Sequence, residues 1–385
     1  MTRRMWLPGG VVLAVGIASF MRAPLLPEIG RDLSIGAADI AFLTTAFAVG
    51  RLVMDLPAGR LADRLPPARA LAGTGLGVAI SAALIGSADA LAVALAGMFF
   101  LGLASSLTNT TGMTLFATSA PAARRGAAMA AFSMALMTGQ TLGPAVGGIV
   151  AGIGGWRAAQ AVAAAIGIGV LVVCLLVPAG TAARREAPAS GAEGDGLSRL
   201  QAAVLASVPF AVFFTLGALP QTLLPVIASS DLDLTPTVIG IALGAGGIVR
   251  FAGSAATGRL SDRVSRKAAL VPSLLVMSVA VAILAAPVTL GTWLLTIVLL
   301  SVASSGIAVA ATIIADQVPA GTVGRRLGTF RFTGDLGLLA GPALTGLLYQ
   351  HVGRAPAMLV TAGVLGACAL ATGLMVEEPR PSAAA

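Results

Sequence analysis

The sequence predicts an all-α integral membrane protein with twelve transmembrane helices, arranged as two pseudo-symmetric bundles of six. Its composition, its long apolar runs and a repeat between its two halves each support this fold class. Of the 385 residues, 57% are hydrophobic and 10% are charged, whereas a soluble domain carries about 25% charged residues. A chain with so few charges is expected to have lipid as its outer solvent.

Apolar runs long enough to cross a bilayer as a helix, which takes about 20 residues, recur along the chain and are separated by short charged loops. We number them as spans 1 to 12. In chain order, the spans are predicted at 8–28, 38–58, 69–88, 90–115, 126–150, 157–178, 200–225, 236–257, 268–287, 291–315, 327–349 and 356–376.

The basic residues indicate how these spans are oriented. If both termini are cytoplasmic, most of the 24 Lys and Arg residues fall on the inner side, and the outer loops hold only Arg31, Arg157 and Arg354. An excess of Lys and Arg marks cytoplasmic loops. We therefore predict a multi-pass protein of the cell (inner) membrane with both termini in the cytoplasm. The net charge of +8 is spread through these loops, so it does not predict a nucleic-acid partner.

An internal repeat relates the two halves of the chain. GRLADR at 59–64 matches GRLSDR at 258–263, and Arg51 matches Arg250, both at an offset of 199 residues. Because six is an even number, both copies keep the same orientation, and an axis along the membrane normal is expected to relate them.

A polar stretch rich in small residues and charges lies near the midpoint of the chain and is typical of a flexible linker. It defines the predicted domains, which are an N-terminal six-helix bundle at 1–178, a cytoplasmic linker at 179–199 and a C-terminal six-helix bundle at 200–385.

The loop after span 2 and the loop after span 8 share a pattern of a glycine, an acid four residues later and a base after it. This pattern resembles motif A of the major facilitator superfamily, and the resemblance covers essentially the whole chain. It implies a transporter in which these loops act as latches on the cytoplasmic side; a basic loop that only sets topology is the alternative. The glycines would let backbones approach closely, and the acids could cap a neighbouring helix. The residues are Gly59, Asp63, Arg64, Gly258, Asp262 and Arg263.

Two positions in these loops depart from that pattern. Pro66 and Ser265 stand where the family usually has a second glycine.

Small residues recur along one side of span 5. Gly139, Gly143, Pro144, Gly147 and Gly148 resemble motif C, the antiporter signature of the drug/proton antiporter (multidrug efflux) group of that superfamily. Glycines four residues apart make a flat helix face that another helix can approach closely, and a proline bends a helix. The resemblance implies proton-driven export, and plain close packing of helices is the alternative.

Two Arg–Asp pairs with a spacing of four residues lie inside predicted spans. Arg51 and Asp55 are in span 2, and Arg331 and Asp335 are in span 11. A charge within the bilayer is expected to face protein or water rather than lipid. Because spans 2 and 11 meet near the cytoplasmic side in the resembled family, we predict that each arginine pairs with the aspartate of the other span and closes an inner gate. A local bridge within each helix is the alternative.

Arg22 in span 1 is the leading candidate for a substrate-binding residue, and Gln221 occupies the matching position in span 7. In the resembled family, spans 1, 4, 7 and 10 line the substrate cavity. Two roles are open for Arg22: it binds an anionic group, or it extends towards the outer surface. The other residues predicted to line the cavity are Ser105, Asn109, Gln140, Phe213, Ser301 and Ser305.

The resemblance therefore predicts a secondary active transporter that works by alternating access and exports a small hydrophobic or anionic molecule in exchange for protons. Acids are scarce where the cavity is expected, which argues against proton coupling. Uptake or uniport of a small organic anion bound by Arg22 is one alternative, and a non-transporting membrane receptor is another. The sequence has no histidine cluster, phosphate-binding loop or nucleophile–base pair. We therefore predict no enzyme activity, no cofactor and no metal, and we expect a monomer in the lipid bilayer.

Overall fold

The computed structural model describes residues 6–120, 124–176, 199–317 and 320–376, and these residues fold as helices joined by short turns. The helices are α1 Trp6–Phe20, α2 Leu26–Asp32, α3 Ala37–Arg64, α4 Pro67–Gly86, α5 Leu91–Ser119, α6 Arg125–Leu176, α7 Arg199–Ala218, α8 Leu224–Asp231, α9 Pro236–Arg263, α10 Arg266–Ile283, α11 Leu290–Ser304, α12 Ile307–Gln317, α13 Ala320–His351 and α14 Arg354–Met375.

The described helices account for all twelve predicted spans. Ten helical stretches among the described residues are long and apolar enough to cross a membrane. One of them, α6, contains both span 5 and span 6. The two spans are separated by Gly155, which interrupts the helical backbone with a φ of 77°. Glycine adopts this left-handed conformation readily, so one residue makes the turn for which the sequence suggested a loop at 151–156. Helix α13 supplies span 11, and the predicted all-α membrane fold is confirmed.

Spans 1 and 7 are both interrupted at the same place in the repeat. Span 1 runs through α1, a 3₁₀ turn at Ala23–Leu25 and α2, and span 7 runs through α7, a π turn at Leu219–Leu223 and α8. Each interruption contains one proline, which has no backbone N–H to continue a helical ladder. As a result, Arg22 and Gln221 both lie at breaks in their helices.

The described residues form two compact units. The first contains the described residues up to 176 together with Pro220–Gly247, and the second contains the described residues from 199 to 219 and from 248 to 376. The segment Pro220–Gly247 therefore packs in the first unit, although it lies in the second half of the chain. The predicted bundles at 1–178 and 200–385 follow the repeat and stay a prediction.

The repeat extends to helix packing inside each unit. In the first unit, span 1 packs on span 5, span 2 on span 4 and span 3 on span 6. In the second unit, span 7 packs on span 11, span 8 on span 10 and span 9 on span 12. Each pair in the second unit is the pair of the first unit moved on by six spans.

Candidate substrate site and gating elements

The break in span 1 places Arg22 in a buried polar cluster, where the residue is only 2% exposed. Its Nη2 donates a hydrogen bond to Gln221 Oε1 at 2.6 Å, and its Nη1 donates to Thr44 Oγ1 at 3.3 Å. Its Nε donates to the carbonyl oxygen of Ser19 at 3.2 Å. The Arg22 Cζ atom also lies 4.2 Å from the centre of the Phe47 ring, which is a cation–π geometry. The cluster joins spans 1, 2 and 7 within the first unit.

Two threonines complete this Arg22 cluster. Thr222 Oγ1 donates to Thr44 Oγ1 at 2.9 Å, and Thr44 Oγ1 lies within hydrogen-bonding distance, 3.4 Å, of the Gln221 carbonyl oxygen. Both threonines are 0% exposed. All the partners that the described residues offer the Arg22 guanidinium are neutral. The cluster is therefore a buried positive charge held by neutral acceptors and an aromatic ring.

The repeat had put Arg22 and Gln221 at matching positions, and the structure brings these two side chains together. The Arg22 side chain turns into the protein and not towards the outer surface. Sequence reasoning missed Thr44, Thr222 and Phe47 as members of the cluster. A threonine within an apolar run is a weak signal, because its hydroxyl usually bonds to its own helix.

The remaining residues predicted for the cavity lie elsewhere in the two units. Ser305 is buried, and its Oγ lies 2.7 Å from Thr257 Oγ1 in span 8. Phe213 packs beside Gly334 of span 11. Among the predicted cavity residues, Gln221 is the one that the described contacts join to Arg22. Three further residues are partly exposed in their spans: Asn109, Gln140 and Ser301.

Arg51 and Asp55 project from span 2 onto span 4, where each meets a serine. Arg51 Nη1 donates to Ser105 Oγ at 3.3 Å, and Ser106 Oγ donates a short hydrogen bond to Asp55 Oδ1. A Cβ on Gly50 would lie against the backbone of span 4, so this glycine permits the close approach that these contacts need. Ser105, which was predicted to line the cavity, bonds to an arginine of the predicted gate.

In the second unit, Asp335 is buried and Arg331 is exposed. The predicted crossed pairing of Arg51 and Asp55 with these two residues stays a prediction. Disulfide cross-linking between cysteines placed along spans 2 and 11 tests it. An absence of cross-links in every transport state would reject it.

The motif C glycines in span 5 present two faces to two different helices. A Cβ added to Gly139 would lie 2.7 Å from the carbonyl oxygen of Leu13. Added to Gly143, it would lie 2.7 Å from the carbonyl oxygen of Ile17, and a Cβ at Gly147 would overlap the backbone of Met21. These three glycines therefore hold span 5 against the backbone of span 1, up to the residue that precedes Arg22.

Gly148 faces span 8 instead of span 1. A Cβ at Gly148 would overlap the carbonyl oxygen of Pro236 and lie 3.0 Å from the Gly240 Cα atom. In return, a Cβ at Gly240 would overlap the carbonyl oxygen of Pro144. Spans 5 and 8 are thus in backbone contact within the first unit.

Among the described residues, a Cβ at Gly59 or Gly258 would meet no other atom within 4 Å. Close backbone packing at these motif A glycines stays a prediction. Arg64 and Arg263 are exposed. The side chains of Asp63 and Asp262 lie outside the described residues, and the predicted latch role stays a prediction.

The positions that depart from the motif A pattern begin the next helix. Ser265 Oγ accepts a hydrogen bond from the backbone N–H of Ala268 at 3.0 Å, which is the N-cap arrangement favoured by serine. Pro66 occupies the corresponding position before α4, with Pro67 at its first turn, where a missing N–H is harmless. Arg266 Nη1 also donates to Ser261 Oγ at 2.9 Å across this second loop.

Each repeated set of six spans begins with an interrupted span, span 1 or span 7, that packs against glycines of span 5 or span 11. Two such sets of membrane-spanning helices define a multi-pass helical transporter. Residues 9–223 and 204–385 match the family described as the Major Facilitator Superfamily, and the chain belongs to this family. It is therefore a transporter embedded in a lipid bilayer that acts on small-molecule substrates, and it is not an enzyme, as the sequence predicted.

Several relatives of this chain are named for drug resistance. The chain is 29% identical over 267 residues to a chloramphenicol resistance protein of Streptomyces lividans, a match that covers 67% of each chain. It is 36% identical over 121 residues to the multidrug resistance protein MdtG of Salmonella arizonae, covering 31% of this chain and 30% of that relative. The match to MdtG is therefore confined to less than a third of its length.

Solved structures of other transporters share the fold. A bacterial homologue of the human lysosomal transporter Spinster, in an inward-facing and unoccupied conformation, has a TM-score of 0.79 at 16% identity and covers 96% of this chain and 95% of its own. A crystal structure of the peptide transporter POT has a TM-score of 0.81 at 15% identity and covers 97% of this chain and 94% of its own.

Proposed function

We propose that this transporter exports a small hydrophobic or anionic molecule across the cell membrane in exchange for protons, with both termini in the cytoplasm. The relatives named for chloramphenicol and multidrug resistance support export, and chloramphenicol is the first candidate substrate. One structural observation carries the proposal. The antiporter-type residues Gly139, Gly143 and Gly147 of span 5 pack against the backbone of span 1, up to the residue before Arg22.

The Arg22 cluster favours substrates that carry a negative charge or a strong hydrogen-bond acceptor. A buried charge is expensive unless it is paired and hydrogen-bonded, and Arg22 has only neutral partners in the described structure. The amide oxygen of Gln221, 2.6 Å from Nη2, occupies the place that a substrate oxygen would take. Arginine binds carboxylates through two parallel hydrogen bonds, so an anionic substrate would gain more here than a cationic one.

The contacts of the motif C glycines suggest how an exporter would close its outer side. Gly147 holds span 5 on span 1 beside Arg22, while Gly148 holds span 5 on span 8. Span 8 begins in the same segment, Pro220–Gly247, that contributes Gln221 to the cluster. Opening the site to the outside would separate this segment from spans 1 and 5. Backbone contact between the small residues of spans 5 and 8 would close the site again.

Transport assays with purified protein in proteoliposomes that hold an internal pH probe test this function. Adding chloramphenicol is expected to move substrate and protons in opposite directions. Substrate movement without proton movement would identify the protein as a uniporter and not an antiporter. No transport across a broad panel of drugs and organic anions would favour the receptor alternative.

Proton coupling is proposed to use one of two acids, Asp55 or Asp335. Each is an acid within a predicted span, and Asp55 accepts a hydrogen bond from Ser106 that an asparagine could keep. We expect the coupling acid, when changed to Asn, to lose pH-driven transport but to keep exchange of labelled for unlabelled substrate, because exchange needs no net proton movement. Asp39→Asn at the exposed start of span 2 is the control. Full pH-driven transport in both Asp55→Asn and Asp335→Asn would reject this assignment.

Uptake or uniport of a small organic anion is the second candidate function, and the neutral surroundings of Arg22 favour it. In proteoliposomes without a pH gradient, a uniporter would equilibrate a labelled carboxylate. An exporter driven by protons would instead concentrate its substrate only when the gradient is present.

A further inference from the structure

A set of polar contacts that has no part in the proposed function holds the outer end of span 1, which is the end that faces outside in the predicted topology. Asp32, the last residue of α2, accepts two hydrogen bonds at its Oδ2 atom. Trp156 Nε1 donates one at 2.8 Å, and Arg157 Nη1 donates the other at 2.7 Å. Because Arg157 also forms an ion pair with Asp32, this is a charge-assisted contact.

Glu28 lies one turn earlier in α2 and faces the same turn. Its carboxyl group and Trp156 line one cavity, and its Oε2 atom is buried without a hydrogen-bond partner among the described residues. Trp156 follows the turn at Gly155 and begins the helix of span 6, where backbone N–H groups have no partner in their own helix. A carboxylate is stabilised at such a helix N-terminus. We call Glu28, Asp32, Trp156 and Arg157 the outer clamp.

Polar contacts attach α2 to this turn. A cavity of about 550 Å³ lies between them, lined on one side by Glu28, Arg31 and Asp32 and on the other by residues 154–157. Arg157 also lies close to the loop between spans 3 and 4, because its Nη2 is 3.5 Å from Asp89 Oδ1. Because charged residues and glycines form most of this lining, we expect loss of the clamp to weaken the attachment of this side of α2.

Helix α2 is the segment that follows the break at Arg22, so its position affects where Arg22 lies. Span 1 leaves α1 at Phe20, passes Arg22 and the 3₁₀ turn, and enters α2 at Leu26. In addition, α2 packs against α8, the helix that follows Gln221. We propose that the outer clamp positions Arg22 for substrate binding, with Asp32 and Trp156 as its main positioning residues. This inference rests on the proposed role of Arg22 in binding substrate.

A cysteine reporter tests the clamp without any transport measurement. Ser19 is 2% exposed, and only its backbone oxygen takes part in the Arg22 cluster. In a C174A/C368A background, which removes the two native cysteines, S19C is expected to react slowly with a water-soluble maleimide. W156F removes one of the two hydrogen bonds to Asp32 and is expected to raise the labelling rate by about tenfold, a size typical of one lost charge-assisted hydrogen bond. D32A removes both hydrogen bonds and is expected to raise the rate at least as much.

Kinetics then connect the clamp to Arg22. D32A and W156F are expected to raise the KM for the transported substrate by about tenfold with little change in kcat, because binding energy at Arg22 is lost. D32N keeps an acceptor oxygen for the indole N–H and is expected to restore both readouts towards wild type. The D32A/W156F double variant is expected to be no worse than D32A, because D32A already removes the contact that W156F removes.

Several outcomes would overturn the proposal. These are unchanged labelling in D32A, raised labelling with an unchanged KM, and a D32N variant as impaired as D32A. If the wild-type protein transports none of the probes, the proposed function fails, and S19C labelling alone decides whether the clamp holds the break at Arg22. A fall in folded protein with an unchanged KM would mean that the clamp serves only stability.

Discussion

Replacing Arg22 by Met is expected to lower transport by about 100-fold, the upper range for one charge-assisted hydrogen bond, without lowering the stability of the protein. Methionine keeps the length of the side chain but removes the charge. Burying an arginine charge in a membrane helix costs about 2.5–3.5 kcal/mol on insertion scales, and Arg22 has no anionic partner among the described residues. Its replacement by an apolar side chain therefore removes an unfavourable term from folding, while substrate binding loses its cationic donor.

The two effects are measured separately, by efflux from proteoliposomes and by the thermal unfolding midpoint in detergent. Arg22→Lys keeps the charge but not the forked donors, so intermediate transport is expected. Arg69→Ala removes an exposed arginine at the start of α4, away from the Arg22 cluster and the outer clamp, and serves as the control with wild-type transport. A stable Arg22→Met protein with wild-type transport would reject the binding role. A lowered unfolding midpoint would instead make the cluster a structural one.

The repeat made the central part of this site predictable. Arg22 and Gln221 could be paired from the sequence because the two halves share a common register, and the structure joins their side chains at 2.6 Å. The packing order of the spans follows the same repeat. Thr44 and Phe47 could not be found in this way, since they enter the cluster through the rotation of span 2 about its axis, and no spacing in the sequence fixes that rotation.

The outer clamp was missed for a related reason. Acids and arginines near the ends of spans are usually solvated, so Arg157 served only to orient the spans and Asp32 was not singled out. Their pairing depends on a left-handed Gly155, which shortens the turn between spans 5 and 6 and brings Trp156 to the end of α2. Glycine conformation cannot be inferred from a Gly-Gly pair alone, because either residue could take the positive φ.

The glycines of the two motifs show a further limit. Both motifs predicted close helix packing. The motif C glycines have it, whereas the described residues place no atom within 4 Å of a Cβ at Gly59 or Gly258. Gly59 lies within α3 and Gly258 within α9, so composition alone does not separate a helical glycine that packs on another helix from one without such a neighbour among the described residues. It also could not show that Gly147 and Gly148, which are adjacent in the chain, face different helices.

Gly148→Val is expected to lower transport by at least tenfold, since overpacking of this kind costs about 1–3 kcal/mol. A Cβ at Gly148 would overlap the carbonyl oxygen of Pro236, and backbone cannot move aside as a flexible side chain can. Spans 5 and 8 must separate locally, which would favour the state that is open to the outside. Transport is measured in proteoliposomes, and opening is measured as faster maleimide labelling of S19C.

Controls on both sides of this contact make the result specific. Gly240→Val is expected to have the same effect, because its side chain would overlap the carbonyl of Pro144 from the side of span 8. The double variant should add little, because both changes disrupt the same contact. Gly169→Val is the matched control in span 6, where a Cβ would meet no atom of the described residues within 4 Å, and it should transport normally. If Gly148→Val lowers only the yield of folded protein, and each folded molecule transports and labels like wild type, then the motif C glycines serve packing alone. Slower transport together with faster S19C labelling would instead mean that the contact between spans 5 and 8 keeps the outer side closed.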